Sequence, residues 1–338
     1  MTTTLLTALL AGALAGDLEG LSLENALAVE LRYSGTLAPL TRDGAGAAVK
    51  EFSVYALITP REPQSLELTY VVEETGGGGW AWPERYGTVA LDENRRPAED
   101  ARPIRVLYNH LGTHYPLELS PPVFANADKL QADAAWTADR QSYEVTGTRT
   151  VAESECWQVA VTGPVGHREQ LSVARTVPIV VAAEKRVFVG QGEPFVLQMT
   201  LDSARRLDAA QAERLKTPLR SLSELQAALK RPAETTRPEL SESQLAAVFA
   251  VVDRLQEEAK STPLSRLTTA IARDAQEQKQ RAGDVTKLAE SMVGKPAPPL
   301  KLTALNGQPI DPEEHAGKIV VLHFWDYRGD PLTEPYGQ

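Results

Sequence analysis

The sequence has almost no cysteine and no excess of positive charge. Its one cysteine, Cys156, has no partner for a disulfide within these 338 residues and leaves no Cys-x-x-Cys redox or zinc motif. Lys and Arg number 35 against 45 Asp and Glu, a net charge of −10, which disfavours nucleic acid or an anionic lipid surface as the main partner. No apolar run reaches the roughly 20 residues that a membrane-spanning helix needs. We therefore predict no nucleic-acid partner, no integral membrane span, no metal and no other cofactor.

The chain begins with an uncharged apolar run, from Leu5 to Ala15, that ends in Ala13-Leu14-Ala15. The length and the small residues at its end are typical of a secretory signal, although the usual basic start is missing. An amphipathic N-terminal helix is the alternative. We predict a signal segment over residues 1–16 and an extracytoplasmic location, periplasmic or secreted.

Period-two alternation between turn residues dominates residues 17–201. Val29, Leu31 and Tyr33 alternate with polar residues, and similar runs recur at about ten-residue spacing between residues 142 and 201. No helical pattern of sufficient length lies between them, so successive strands should pair antiparallel. The sequence predicts an antiparallel β domain over residues 17–201.

A glycine-rich loop interrupts this domain. The four residues Gly76–Gly79 precede Trp80 and Trp82, and a packed strand would not tolerate this run of glycines. Two alternatives stand: a turn whose tryptophans fold back onto the sheet, or a loop that gates a ligand. Trp80 and Trp82 are therefore candidate binding residues.

From residue 202 the apolar spacing changes to three and four residues. Ser221-x-x-Glu224 after Pro218 and Ser241-x-x-Gln244 fit capping boxes, and each precedes or accompanies an apolar helical stripe. We predict a helical linker region over residues 202–292. Its helices form either a packed hairpin joining two domains or a partner-binding face.

The last segment, residues 293–338, carries the most specific motif. It runs Val293-Gly-Lys-Pro-Ala-Pro298, Asn306-Gly307, Gly317-Lys318 and then the apolar strand Ile319 to Trp325. This order closely resembles the opening of a redoxin domain of the extracytoplasmic thioredoxin-like (TlpA/ResA-like) branch. The resemblance implies an incomplete thioredoxin-like α/β segment, because the chain stops before the rest of that fold. With it, the predicted fold class is α+β: an antiparallel β domain, a helical linker and this C-terminal segment.

The redoxin motif lacks its thiols here. Aligned on Phe324-Trp325 and Pro331, the two family cysteines fall on Gly329 and Leu332. Neither residue can supply the thiolate that disulfide exchange requires. The segment is therefore predicted to have no catalytic residue.

The β domain has a fainter resemblance to periplasmic lipoprotein carriers. The residues Tyr143 to Gly147, then Glu155 to Val159, followed by a polar hairpin, look like LolA-like domains, whose curved sheet holds an apolar ligand. That resemblance implies a hydrophobic groove, and the residues that would line it include Val159, Val161, Leu171, Val173, Leu197 and Met199. The alternative is that the same side chains fill an ordinary closed core.

Two further candidates have a structural interpretation. Cys156 lies in a predicted strand and is interpreted as a small core residue. His110 and His114 have the spacing of a metal-binding helix, with Glu118 nearby, but Gly112 between them favours a loop and no metal site.

The leading hypothesis is a non-catalytic extracytoplasmic protein of the redoxin-like family that binds or scaffolds an unknown protein or an apolar small molecule. One alternative is a thiol–disulfide or peroxide oxidoreductase whose catalytic part lies beyond Gln338. The other is a carrier of an apolar ligand in the β domain.

Overall fold

The structure is a computed structural model that describes residues 18, 20–23, 27–42, 44–61, 65–98, 101–231, 239–295, 302–303, 307–310, 317–318 and 321. It divides into two compact units, residues 1–279 and 280–338. The predicted signal segment 1–16 lies outside the described residues. So do Gly329 and Leu332 and most of the redoxin-like segment.

The first unit is mainly antiparallel sheet followed by helices. Its strands are β1 (Val29–Thr41), β2 (Gly44–Ala45), β3 (Lys50–Arg61), β4 (Ser65–Thr75), β5 (Tyr86–Leu91), β6 (Arg105–His110), β7 (Thr113–Glu118), β8 (Ala135–Ala138), β9 (Gln141–Val151), β10 (Ser154–Thr162), β11 (Arg168–Ala174), β12 (Val180–Val189) and β13 (Glu193–Arg206). Its helices are α1 (Ala209–Leu229), α2 (Glu242–Phe249), α3 (Val252–Ala259) and the first part of α4 (Ser265–Met292).

The large sheet has the order β5-β4-β3-β1-β13-β12-β11-β10-β9-β8, with β2 paired to β1, and every pairing is antiparallel. The first long strand pairs with the last one, so that Leu37 lies opposite Leu197. Strands β6 and β7 form a separate hairpin. This architecture confirms the α+β class and its antiparallel β domain.

One face of the sheet, here called the hairpin face, packs on the β6–β7 hairpin. Tyr33, Val54 and Leu68 point to this side, and the hairpin contributes Val106 and Leu117 to the same buried cluster. Because side chains alternate across a strand, the residues between them belong to the opposite face. A hairpin with an apolar side can thus close a core without a second large sheet.

The opposite face, the helix face, is covered by α1 to α4 over strands β3 to β5. Leu57 and Val71 pack there against a helical stripe that includes Leu222 and Leu255. Burial on two faces explains why β3 and β4 show near-continuous apolar stretches, such as Ala56–Leu57–Ile58. The helices therefore cover the sheet rather than standing apart from it.

Capping boxes set the starts of α1 and α2, and the start of α1 differs from the sequence prediction. Ser241 caps α2, as predicted, with its Oγ accepting from the main-chain N–H of Gln244. No helix begins at Ser221, since α1 runs through Pro218 from a capping box at Asp208. Ser221 Oγ instead donates to Glu258, at 2.7 Å, and so ties α1 to α3. Packing of both flanks of Pro218 onto the sheet outweighs the loss of one helical hydrogen bond.

In the second unit, β14 (Leu302–Thr303) and β15 (Pro309–Ile310) pair antiparallel, and Gly307 has a positive φ of 80°. The redoxin resemblance itself stays a prediction. No helix among the described residues is both long and apolar enough to cross a bilayer.

Candidate ligand-binding site

Four of the predicted groove residues lie together. Val159 and Val161 on β10 and Leu171 and Val173 on β11 are buried, with exposures of 0–4%. Val159 pairs with Leu171, Leu171 with Ala183 and Ala183 with Met199. Residues paired in this way share a sheet face, so the four belong to the hairpin face. With Phe124, Val145, Val180 and Ala183 they form one group, here called the β10–β11 cluster.

Leu197 and Met199 are placed differently. Both are buried on the same face, but they pack in the neighbouring cluster around the β6–β7 hairpin. The apolar face is therefore divided between a part covered by a regular hairpin and a part that is not.

The β10–β11 cluster is covered by residues 119–134, the 16 residues between the ends of β7 and β8. This covering segment contains one 3₁₀ turn, Ala127–Lys129, and otherwise no helix or strand. Phe124 is its deeply buried contribution to the cluster. Irregular loops of this length are uncommon in compact domains and usually serve as lids or binding loops.

Few main-chain hydrogen bonds hold the covering segment to the sheet. Phe124 N donates to Pro178 O at 2.8 Å, and Val180 N donates to Pro122 O at 2.9 Å. Near the other end, Val145 N donates to Ala134 O at 2.8 Å. Most of the segment therefore lies on the sheet without the regular hydrogen-bond ladder that joins neighbouring strands.

Aromatic rings border the cluster beside the covering segment. Trp136 and Tyr143 stack with their centroids 5.1 Å apart and an interplanar angle of 1°, and both are half-buried. Phe124 meets each ring edge-on, at 6.3 Å. Trp136 Nε1 is buried and has no hydrogen-bond partner among the described residues. The rim is thus apolar with one unused donor, a composition suited to an amphipathic molecule.

Glu169 fastens the start of the covering segment. Ser120 Oγ donates to its carboxylate, and His167 Nε2 lies 3.4 Å from Oε2. Burial opposes ionisation, but the nearby His167 side chain, the charge of Lys185 and the Ser120 bond together hold the pKa of Glu169 below its usual value. An ionised carboxylate therefore anchors residue 120. Sequence inspection missed this contact because residues 120 and 169 are far apart in the chain.

Trp80 and Trp82 do not join this site. Both are buried, at 4% and 3% exposure, and Trp82 packs in the helix-face core, stacked on Tyr86 at 6.5 Å. Trp80 N donates to Glu74 Oε2 at 2.7 Å. The structure therefore places these tryptophans folded back onto the domain.

A fully buried ion pair, which sequence reasoning missed, organises the glycine loop before Trp80. Lys50 Nζ lies 3.2 Å from Glu74 Oε1, and both side chains have 0% exposure. Lys50 also donates to the carbonyls of Gly76, at 3.2 Å, and Gly78, at 2.8 Å. Burial lowers the pKa of Lys50 despite the neighbouring charge of Glu74. The loop carbonyls thus converge on one buried ammonium group.

The remaining candidates are not arranged for catalysis or metal binding. Cys156 is fully buried, and burial raises its pKa to about 11, so its thiol stays protonated. His110 lies 2.9 Å from Glu193, and it shares a hairpin, not a helix, with His114. Across the described residues, no group of three or more His, Cys, Asp or Glu side chains could hold a metal ion.

No family model matches the chain, and no curated protein matches it. Among solved structures it is similar to a DUF1329 family protein from Desulfovibrio piger, with 12% identity, 56% of this chain and 91% of that chain covered, and a TM-score of 0.25. It is also similar to a domain assigned to outer-membrane lipoprotein sorting, from Vibrio parahaemolyticus. That match has 6% identity and a TM-score of 0.23, and it covers 57% of this chain and 92% of that chain. A third similar structure is a β-barrel-like protein of a domain of unknown function, DUF1849, from Brucella abortus. That match has 10% identity and a TM-score of 0.23, and it covers 55% of this chain and 100% of that chain.

TM-scores of this size are too low to carry function across. The proposals below rest on the geometry of this chain.

Proposed function

We propose that the β domain is a non-catalytic binding module that takes an apolar chain, such as the acyl chain of a lipid, at the β10–β11 cluster. The observation that carries the proposal is the aliphatic sheet face buried beneath a 16-residue irregular segment. A closed core would more simply be covered by a helix or hairpin, as the helix face of β3 to β5 and the cluster beneath the β6–β7 hairpin are. The ligand would replace Phe124 against Val159 and Leu171.

The energetics of exchange favour this arrangement. Removing the covering segment would expose apolar area that costs about 25 cal/mol per Å² in water, and a bound acyl chain would cover the same area again. To move, the segment must give up its three main-chain bonds to the sheet, the bonds of Leu119 and Asn126 to neighbouring loops, and the bond from Ser120 to Glu169. Opening is therefore costly without a ligand and nearly balanced with one.

The proposal includes an extracytoplasmic location, supported by the apolar run from Leu5 to Ala15. It uses no thiol chemistry, consistent with the buried and protonated Cys156. A scaffold role and a redoxin activity have no comparable support in the described residues.

Titration of the delipidated full chain with a fluorescent fatty acid tests the proposal. We expect saturable binding with one site per chain. Phe124→Ala weakens the closed form that competes with the ligand, so it should raise the affinity at least about tenfold, or 1.4 kcal/mol, while lowering stability. Phe249→Ala is the control, because Phe249 is a half-buried phenylalanine packed against the helix-face core and away from the β10–β11 cluster. It should lower stability and leave the affinity unchanged.

A gain in affinity that accompanies a loss of stability is not produced by general unfolding. Absence of saturable binding by the unaltered chain would contradict the proposal. So would equal affinities for the unaltered chain and Phe124→Ala.

A further inference from the structure

A second cavity lies at the edge of the sheet, away from the β10–β11 cluster. Its volume is about 200 Å³, and it runs along the edge strand β5 towards the end of α1. The residues that decide its chemistry are Tyr70, Glu84, Gly87, Arg102, Gln226 and Arg231. This volume is below that of sites for drug-sized ligands, so the cavity suits a small molecule or ion.

Glycine at position 87 makes the room. Gly87 lies opposite Tyr70 in the β4–β5 register, and a Cβ at residue 87 would come within 2.8 Å of the Tyr70 hydroxyl oxygen. Any larger residue would fill the space above the phenol. The missing side chain therefore leaves the hydroxyl facing the cavity.

Two polar groups at this cavity make no direct hydrogen bond to the described parts of the chain. One is the hydroxyl of Tyr70, a residue that is 2% exposed. The other is the half-buried Arg102 guanidinium, whose charge acts on Glu84 and on Tyr70 without a direct ion-pair contact among the described residues. Burial raises the pKa of Tyr70, so its hydroxyl remains a donor at neutral pH. Buried donors without acceptors are costly unless something else supplies the acceptor.

The one acidic side chain that lines this cavity, Glu84, is already paired with Arg231. Arg231 Nε donates to Glu84 Oε1 at 2.8 Å, and both side chains are more than nine-tenths buried, at 8% and 4% exposure. Gln226 is likewise engaged, donating to the carbonyls of Pro83 and Tyr86. Among its lining residues the cavity therefore holds two positive charges, on Arg102 and Arg231, and one negative charge, on Glu84.

From this juxtaposition we infer that the cavity binds a small oxyanion, a carboxylate or a phosphate group. The planar fork of Arg102 matches two oxygens of such a group, and Tyr70 would donate to one of them. Bound there, the anion would neutralise the excess positive charge beside the Glu84–Arg231 pair. Arg105 and Trp80 line a smaller adjoining cavity of about 20 Å³, together with Tyr70, Glu84 and Arg102.

Calorimetric titration of the full chain with inorganic phosphate, and separately with acetate at the same ionic strength, tests this inference. We expect one saturable site for at least one of the two anions, and the two titrations show which oxyanion it prefers. Arg102→Gln should weaken that binding at least about tenfold, because a charged donor is lost. Arg220→Gln removes an exposed arginine of α1 and is the matched control, with no expected change.

Two further variants test the space beside Gly87 and the Tyr70 hydroxyl. Gly87→Ala should reduce the affinity by filling the space, and Tyr70→Phe should reduce it without adding an atom. Circular dichroism confirms that each variant is folded. The inference fails if neither anion binds saturably, or if Arg102→Gln and Tyr70→Phe both bind as tightly as the unaltered chain.

Discussion

Replacing Lys50 by methionine tests the reasoning about the buried ion pair most severely. The substitution keeps a long unbranched side chain, one atom shorter, but leaves the Glu74 carboxylate at 0% exposure without its counter-charge. Breaking a buried pair in this way costs about 3–5 kcal/mol. Two main-chain donors remain on Glu74, from Trp80 N at 2.7 Å and Leu107 N at 2.6 Å. Each hydrogen bond to a charged group contributes about 1.5–3 kcal/mol, and these two bonds remain in the variant. We therefore expect the loss of unfolding free energy to lie at the lower end of the range, at about 3 kcal/mol.

The assay is urea denaturation of the unaltered chain and of Lys50→Met at neutral pH, followed by circular dichroism. Lys216→Met, which breaks an ion pair whose two side chains are both 70% exposed, is the control and should cost less than about 1 kcal/mol. If Lys50→Met costs no more than this control, Lys50 and Glu74 are not the buried pair described here.

Three further outcomes follow from the site and its surroundings. The pKa of Glu169 is lowered on folding, so its contribution to stability is complete above the unfolded value of about 4.3 and is lost as the pH falls through the folded value; Glu169→Gln should lack that part of the pH dependence in thermal denaturation. The thiol of Cys156 should not react with a thiol reagent at pH 8 until urea unfolds the chain, and rapid labelling of the folded protein would disprove its burial. Gly77→Ala combines a φ of 53° with a Cβ only 2.8 Å from the Tyr108 ring, so it should cost about 2–3 kcal/mol in urea denaturation. Gly112→Ala, with a φ of 80° and open space around it, should cost about 1 kcal/mol, and equal losses would show that the Tyr108 contact is irrelevant.

The strands could be predicted from the sequence because their apolar period is local. The alternation of Val29, Leu31 and Tyr33 marks a strand without reference to the rest of the chain. The pairing of β1 with β13 could not be predicted in this way, since Leu37 and Leu197 are 160 residues apart. Periodicity shows which side chains share a face but not which strand lies beside them.

The candidate site shows the same limit. Sequence patterns grouped Val159, Val161, Leu171 and Val173, because two successive antiparallel strands with a short connection place them together. The covering segment carries no period at all, and its contact with the cluster through Phe124 depends on tertiary structure. Charged residues such as Lys50 give no sign in sequence that they will be buried, because their burial depends on a partner elsewhere in the chain.

The central claim is that an apolar chain binds between the covering segment and the β10–β11 cluster. Photolabelling with a fatty acid that carries a diazirine in its acyl chain, followed by peptide mass spectrometry, tests the position directly. The account predicts labels on residues 119–134 and on strands β10 and β11, suppressed by excess unlabelled fatty acid. Labels confined to the helix face, or labelling that excess fatty acid does not suppress, would contradict it.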